Sequence, residues 1–244
     1  RAYYDAMSRT YECGRHDGYH AFLDDSEVAC VTDRIAGAEV LEVGCGTGLI
    51  LQRMAPVARR VAGIDLSPGM LEIAASRGFD VQVAAASALP FADGTFDGVV
   101  CFKVLPHIEA VGSAIAEMVR VVRPGGWLAL EFYNPRSFRG LIKRLKQPTP
   151  IGGDVADTDV YTRLDTLSQA VAYLPSGVRV VRTHGIRIAI VSARWMRIPV
   201  VGRLLGRLDR ALSHTWLKHL AGFIVIVAEK SQVLTPPAVS PPTR

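Results

Sequence analysis

The segment Val40–Gly48, VLEVGCGTG, constrains this chain more than any other. An apolar run ends in Gly44, Gly46 and Gly48, and a helix-like stretch follows at once. Glycines let a chain turn sharply and let a ligand come close to the backbone. The helix behind them offers unpaired N–H groups and a positive dipole end. The dinucleotide spacing G-x-G-x-x-G does not fit, because Leu49 stands where its third glycine belongs. The spacing is G-x-G-x-G, with Glu42 two residues before the first glycine. A carboxylate there opposes a pyrophosphate and favours a cationic amino-acid moiety. Seventeen residues past Gly48 the next apolar run, VAGID, ends in Asp65. An acidic side chain at that point can accept both hydroxyls of a ribose, one per oxygen.

From Ala38 onward short apolar runs alternate with helical stretches. Val40–Val43, Val61–Ile64, Val81–Ala84, Val99–Phe102 and Leu128–Phe132 read as strands, most of them rich in β-branched residues. Ser67 and Pro68 supply an N-cap and first-turn pair for a helix through Met70 and Leu71 that Gly78 stops. Ile108 to Val122 reads as another helix, closed by Pro124-Gly125-Gly126. This alternation predicts an α/β fold with a parallel sheet and helices on both faces. Before it, Asp24, Asp25 and Ser26 read as a polar helix start ahead of Val28, Val31 and Ile35. After Asn134 the pattern predicts a basic helix over Ser137–Lys146, a loop over Pro148–Asp159, a helix from about Leu164 to Leu174, and late strands at Val178–Arg182 and Phe223–Val227.

Four stretches follow one another as they do in small-molecule class I S-adenosylmethionine-dependent methyltransferases: VLEVGCGTG, GIDLSPGML, LPFADGTFDGVV and VVRPGGWLALEFYNP. The chain resembles in particular the quinone-biosynthesis methylases, over roughly residues 38–135. The resemblance implies a Rossmann-like, seven-stranded, mostly parallel sheet with one antiparallel strand. It also divides the chain into a helical lid (1–37), a cofactor-binding core (38–135), a cap insertion with the final strands of the same domain (136–230), and a tail expected to be disordered (231–244). S-adenosylmethionine is the implied cofactor. Glu42, Gly44, Cys45, Gly46 and Gly48 would surround its methionine part, Asp65 its ribose, and Leu66 and Met70 its adenine. Ala86 would meet the adenine edge through its backbone, and Lys103 would lie beside the sulfonium. One departure stands out: Ala85 occupies the place of a usual aspartate that accepts from the adenine amino group, and Ser87 or a carbonyl is the available substitute. One lost hydrogen bond of that kind costs on the order of 1 kcal/mol.

The catalytic end is less explicit. His107, just past the fourth strand, is the preferred base or orienting residue, with a backbone-satisfied histidine as the alternative. Tyr133 and Asn134 end the fifth strand at the same edge, where an aromatic serves packing or acceptor contact. Tyr4 and Tyr11 resemble lid tyrosines. His16 and His20 share i,i+4 spacing around Gly18 without further ligands, so no metal site is assigned. The expected reaction is methyl transfer to O, N or C of a small acceptor, apolar or anionic. The alternative is a non-catalytic, cofactor-binding member of the fold acting through a partner.

At 244 residues, 49% apolar and 21% charged, the chain suits one elaborated domain. Its charge is polarised: residues 136–218 hold 15 Lys/Arg against 5 Asp/Glu, the remainder 13 against 18. Arg136–Lys146 lacks interleaved aromatics, which argues against nucleic acid. Val201–Leu212 sets apolar residues at 201, 204, 205, 208 and 212 against Arg203, Arg207 and Arg210. That pattern suits a peripheral membrane helix, or a lid helix with its stripe buried in protein, the preferred reading. Four cysteines without ligand spacing suggest a reducing cytoplasm. No signal-peptide pattern is visible, and a start at Arg1 leaves the true N-terminus open. Oligomeric state is not legible.

Overall fold

Seven strands form one sheet. In the computed structural model, which describes Asp5 and residues 8–13, 18–137, 161–190 and 192–232, they are β1 (Glu39–Val43), β2 (Arg60–Asp65), β3 (Asp80–Val83), β4 (Phe96–Cys101), β5 (Val122–Tyr133), β6 (Val178–Ile186) and β7 (Phe223–Lys230). The order across the sheet is β3-β2-β1-β4-β5-β7-β6. β1 to β5 pair in parallel, and β7 inserts antiparallel between β5 and β6. This is the mostly parallel sheet with one antiparallel strand that the resemblance implies. The strand order turns back at β1/β4, and loops leaving the carboxyl ends of these strands form the crevice where ligands bind in open α/β sheets.

Period-two alternation divides the strands between two cores. Leu41, Val99, Leu128 and Ile226 pack under α5 (Val111–Val121), whose Ala114, Ile115 and Met118 are fully buried. Val40, Val100, Ala129 and Val225 pack on the opposite face. There they meet Phe22 and Leu23 of α1 (Gly18–Ala29), Ile35 of α2 (Thr32–Ile35), and Leu51 and Met54 of α3 (Leu49–Met54). The predicted Ser67 cap is present: its hydroxyl accepts from Met70 N–H at 3.2 Å, with Pro68 opening α4 (Pro68–Ser76). Thr166 and Gln169 form a capping box on α6 (Leu167–Ala172), which is shorter than the predicted helix.

Three expectations are corrected. The Asp24–Ser26 trio does not start a helix but lies inside α1, where Asp24 is buried and ion-paired. Pro124-Gly125-Gly126 does not close a helix either. α5 runs directly into β5 at Val122, and the Pro-Gly-Gly turn lies within that strand, where the β4–β5 register shifts. The third correction concerns α8 (Pro199–Leu212), which follows the short α7 (Ala193–Met196). Its apolar stripe is split, with Val201, Leu205 and Leu212 half-buried and Leu205 packed against the second core. The buried face consists of Gly202, Gly206 and Asp209, while Leu204 and Leu208 are exposed.

The reason is hydrogen bonding. Arg187 φ is +67°, and the backbone N–H groups of Arg187, Ile188 and Ala189, turning away from β6, all donate to the Asp209 carboxylate at 2.6–2.8 Å. That anchor fixes the rotation of α8, and its glycines admit close approach: a Cβ on Gly202 would lie 2.8 Å from the Met196 carbonyl oxygen. The predicted loop Pro148–Asp159, most of the helix Ser137–Lys146 and the tail from 233 lie outside the described residues.

Asp209→Ala orphans three buried backbone donors and should lower stability by on the order of 3 kcal/mol in urea unfolding, with Asp209→Asn losing less.

Candidate active site

The glycine loop sits at the carboxyl end of β1 and is stitched to β2. Gly44 and Cys45 N–H both donate to the Ile64 carbonyl, at 2.7 and 2.9 Å, and Gly46 N–H donates to Asp65 Oδ2 at 2.9 Å. Gly44, Gly46 and Gly48 all have positive φ, the region that favours glycine. A Cβ on Gly44 would strike the Val104 side chain at 2.2 Å, whereas one on Gly46 would meet nothing within 4 Å. The loop is therefore closed toward β4 and open at Gly46. Asp65 Oδ1 accepts from Ser67 N–H at 2.9 Å, so each carboxylate oxygen is oriented by one amide and retains a further lone pair.

Beneath this loop lies a buried acidic floor. Lys103, directly after β4, adopts φ +60°, a strained left-handed conformation for a residue with a side chain. Glu131 of β5 accepts its backbone N–H at 3.2 Å. Its ammonium donates to Asp24 at 2.7 Å and to Glu27 at 2.8 Å, both on α1. Burial opposes that charge, but Glu27, Asp24 and Glu131 more than offset it and hold Lys103 above the ordinary lysine range. The carboxyls of Glu27, Glu42 and Glu131 are pushed up by burial, with Lys103 opposing. Glu42 Oε2 and Thr47 Oγ1 are buried and have no hydrogen-bond partner. An unpaired acidic oxygen beside an open glycine loop fits the cationic methionine end of S-adenosylmethionine.

Of the adenine-side residues, Leu66 is exposed, Met70 is buried, and Ala85–Ala88 is a tight turn in which Ala88 N–H donates to the Ala85 carbonyl at 3.0 Å. Ala86 is half-buried and Ser87 exposed on that turn. Asp5 and residues 8–13 are clipped over α4. Asp5 accepts from Gly69 N–H at 3.3 Å, and Glu12 pairs with Arg77 at 2.7 Å, while Arg77 also donates to the Thr47 carbonyl.

On the acceptor side, His107 lies in a 3-10 turn (Leu105–His107) with its ring edge-on to Tyr133 at 5.8 Å. Its Nδ1 is 2.8 Å from the Tyr161 carbonyl oxygen. A carbonyl only accepts, so Nδ1 carries the hydrogen and Nε2 of the neutral ring holds the lone pair. Tyr133 also packs on Phe223. Asn134 is structural: its amide donates to the carbonyls of His219 and Ala221, both at 2.9 Å. An open cleft of about 480 Å³ lies beside it, lined in part by Thr166, Leu167 and Ile224.

The structure thus gathers the glycine loop and Asp65 on one side and His107 with Tyr133 on another. It gives Lys103 a role that spacing did not reveal, since its side chain is committed to Asp24 and Glu27. Sequence reasoning missed Asp24, Glu27 and Glu131. The legible signal was Glu131, an acid inside the apolar run LALEFY.

The sheet order and site define the class I methyltransferase fold. Residues 41–130 match the Methyltransferase domain family. The chain is 36% identical over 107 residues to a ubiquinone biosynthesis O-methyltransferase of Thiobacillus denitrificans, covering 41% of this chain and 46% of that one. It is also 36% identical over 146 residues to a demethylmenaquinone methyltransferase of Symbiobacterium thermophilum, covering 55% and 56%. The chain therefore spans about half the length of these curated relatives. A Thermotoga maritima S-adenosylmethionine-dependent methyltransferase, a possible histamine N-methyltransferase, shares the fold at a TM-score of 0.65 and 17% identity, covering 93% of this chain and 98% of that one.

Lys103→Met leaves buried carboxylates without their counter-charge and should cost about 3–5 kcal/mol. Because burial raises the carboxyl values in the folded state, the native protein binds more protons than the unfolded chain, and stability falls as pH rises through that window. The variant should therefore regain stability from about pH 8 to about pH 5 more steeply than the parent, as read by thermal unfolding.

Proposed function

We propose that the protein transfers a methyl group from S-adenosylmethionine to a small acceptor of quinone type. The observation that carries this reading is the unpaired Glu42 carboxyl oxygen on an acidic floor beside the open Gly46. The cofactor supplies an electrophilic methyl group on a sulfonium. Glu42 and the loop Gly44, Cys45, Gly46 and Gly48 hold its amino-acid end, and Asp65 uses its free lone pairs on the ribose hydroxyls. Leu66, Met70, Ala86 and Ser87 border the adenine. Lys103 acts from behind, holding α1, β4 and β5 around the floor. The names of the quinone-biosynthesis relatives support the acceptor class, and an open cleft lined by Thr166, Ser168, His219, Leu167 and Ile224 lies at the same sheet edge.

In-line displacement depends mainly on positioning. Where the acceptor must lose a proton, Nε2 of His107 takes it, and the Tyr161 carbonyl holds the ring in the tautomer that leaves that nitrogen basic. Tyr133 walls the acceptor against His107. Asp5 and residues 8–13 act as part of a lid over residues 38–135, and residues 161–190 shape the acceptor side. The four cysteines, all free thiols, suit a reducing cytoplasm.

Asp65→Ala should weaken S-adenosylmethionine binding roughly hundredfold by calorimetry, the loss of two charge-assisted hydrogen bonds. Unchanged binding would remove Asp65 from the site. His107→Gln should leave cofactor affinity intact and lower kcat by about a hundredfold or more with a hydroxyl acceptor. Both are measured with methyl-labelled cofactor and demethylated benzoquinols and naphthoquinols. Absence of label from every acceptor, with normal cofactor binding, would favour a non-catalytic role.

A further inference from the structure

The segment between β6 and β7 leaves the sheet at its carboxyl edge, where β5 also ends, because Ile186 and Tyr133 both pair with Phe223. It holds α7, α8 and a 3-10 turn (Trp216–Leu220), and α8 packs on α1, α7 and the turn. With Asp209, Gly202 and Gly206 facing inward, helical periodicity sets Val200, Leu204 and Leu208 on a single outward stripe. Val200 is 69% exposed, Leu204 66% and Leu208 46%. Trp195 and Ile198 at the start of the segment and Trp216 beyond it are also exposed. Arg203, Arg207 and Arg210 form the adjoining stripe, and Arg194 and Arg197 precede it. The one acid of residues 192–220 is Asp209, which is buried, so every exposed charge within that segment is positive.

We propose that α7 and α8 form a docking surface for an anionic phospholipid bilayer, with the Val200–Leu204–Leu208 stripe entering the acyl boundary and the arginines contacting headgroup phosphates. Charge selects this occupant. A second copy of the chain docking through the same face would set arginine against arginine. The other basic stretch, Arg136–Lys146, contains no acid and would likewise be repelled. An apolar stripe beside an arginine row with tryptophans near it matches a helix lying in the interface. Among the described residues no helix is long and apolar enough to cross a membrane, so the contact lies on the surface. Such docking would bring the sheet edge that carries the acceptor cleft to the lipid.

The test is vesicle flotation of the full chain, without cofactor or acceptor, so its outcome is independent of methyl transfer. Binding is expected to phosphatidylglycerol/phosphatidylcholine vesicles, to weaken at raised salt, and to fall away on pure phosphatidylcholine. A blue shift of tryptophan emission should accompany it. The exposed pair Leu204→Ser/Leu208→Ser should reduce partitioning roughly tenfold or more with an unchanged melting curve. Arg203→Gln/Arg207→Gln should reduce binding and flatten its salt dependence. No binding to anionic vesicles at low salt, or binding indifferent to the leucine pair, would overturn the proposal. So would a solution dimer, seen by light scattering, that the leucine variant dissolves.

Discussion

Lys103 joins three parts of the molecule that are distant in sequence. Its backbone turns left-handed at the end of β4, its amide is held by Glu131 on β5, and its ammonium reaches Asp24 and Glu27 on α1. A buried cation facing several carboxylates is balanced only when the geometry is met in full, because desolvation penalises each charge separately. That requirement fixes where α1 lies over the sheet. It also gathers the buried carboxyls of Glu27, Glu42 and Glu131 beneath the glycine loop.

A second anchor works by the same logic at the sheet's far edge. Asp209 satisfies three successive N–H groups where the chain leaves β6, and their need for an acceptor outweighs the preference of the leucines on α8 for burial. Unpaired buried donors cost about 1–3 kcal/mol each, comparable with the gain from fully burying a leucine. With several donors on one carboxylate the polar side prevails. The helix is rotated so that glycines pack inward, and an apolar ridge is left facing out beside arginines.

The two anchors lie at the same end of the sheet, since the loops after β4 and β5 and the β6–β7 segment all emerge at the carboxyl edge. The fold itself is compatible with many chemistries, and the proposed one rests on local features: the G-x-G-x-G spacing, Glu42, Asp65 and the His107–Tyr133 pair.

The strands and the Ser67 cap were legible because period-two alternation and capping chemistry act over a few residues. The glycine loop was legible for the same reason, since positive φ at Gly44, Gly46 and Gly48 is a demand each residue meets alone. Asp24 misled, because an acid before an apolar run resembles a helix start and only Lys103, far along the chain, explains its burial within α1. The arginine and leucine stripes of α8 were visible in sequence as well. Which side faces inward was not, because Asp209 on the helix meets its donors only after β6 has taken its place in the sheet. The sequence by itself determined the strands and the glycine loop, through short-range sterics and hydrogen bonding. Tertiary structure alone decided the acidic floor and the outward face of α8, because both depend on buried charges finding partners across long separations in the chain.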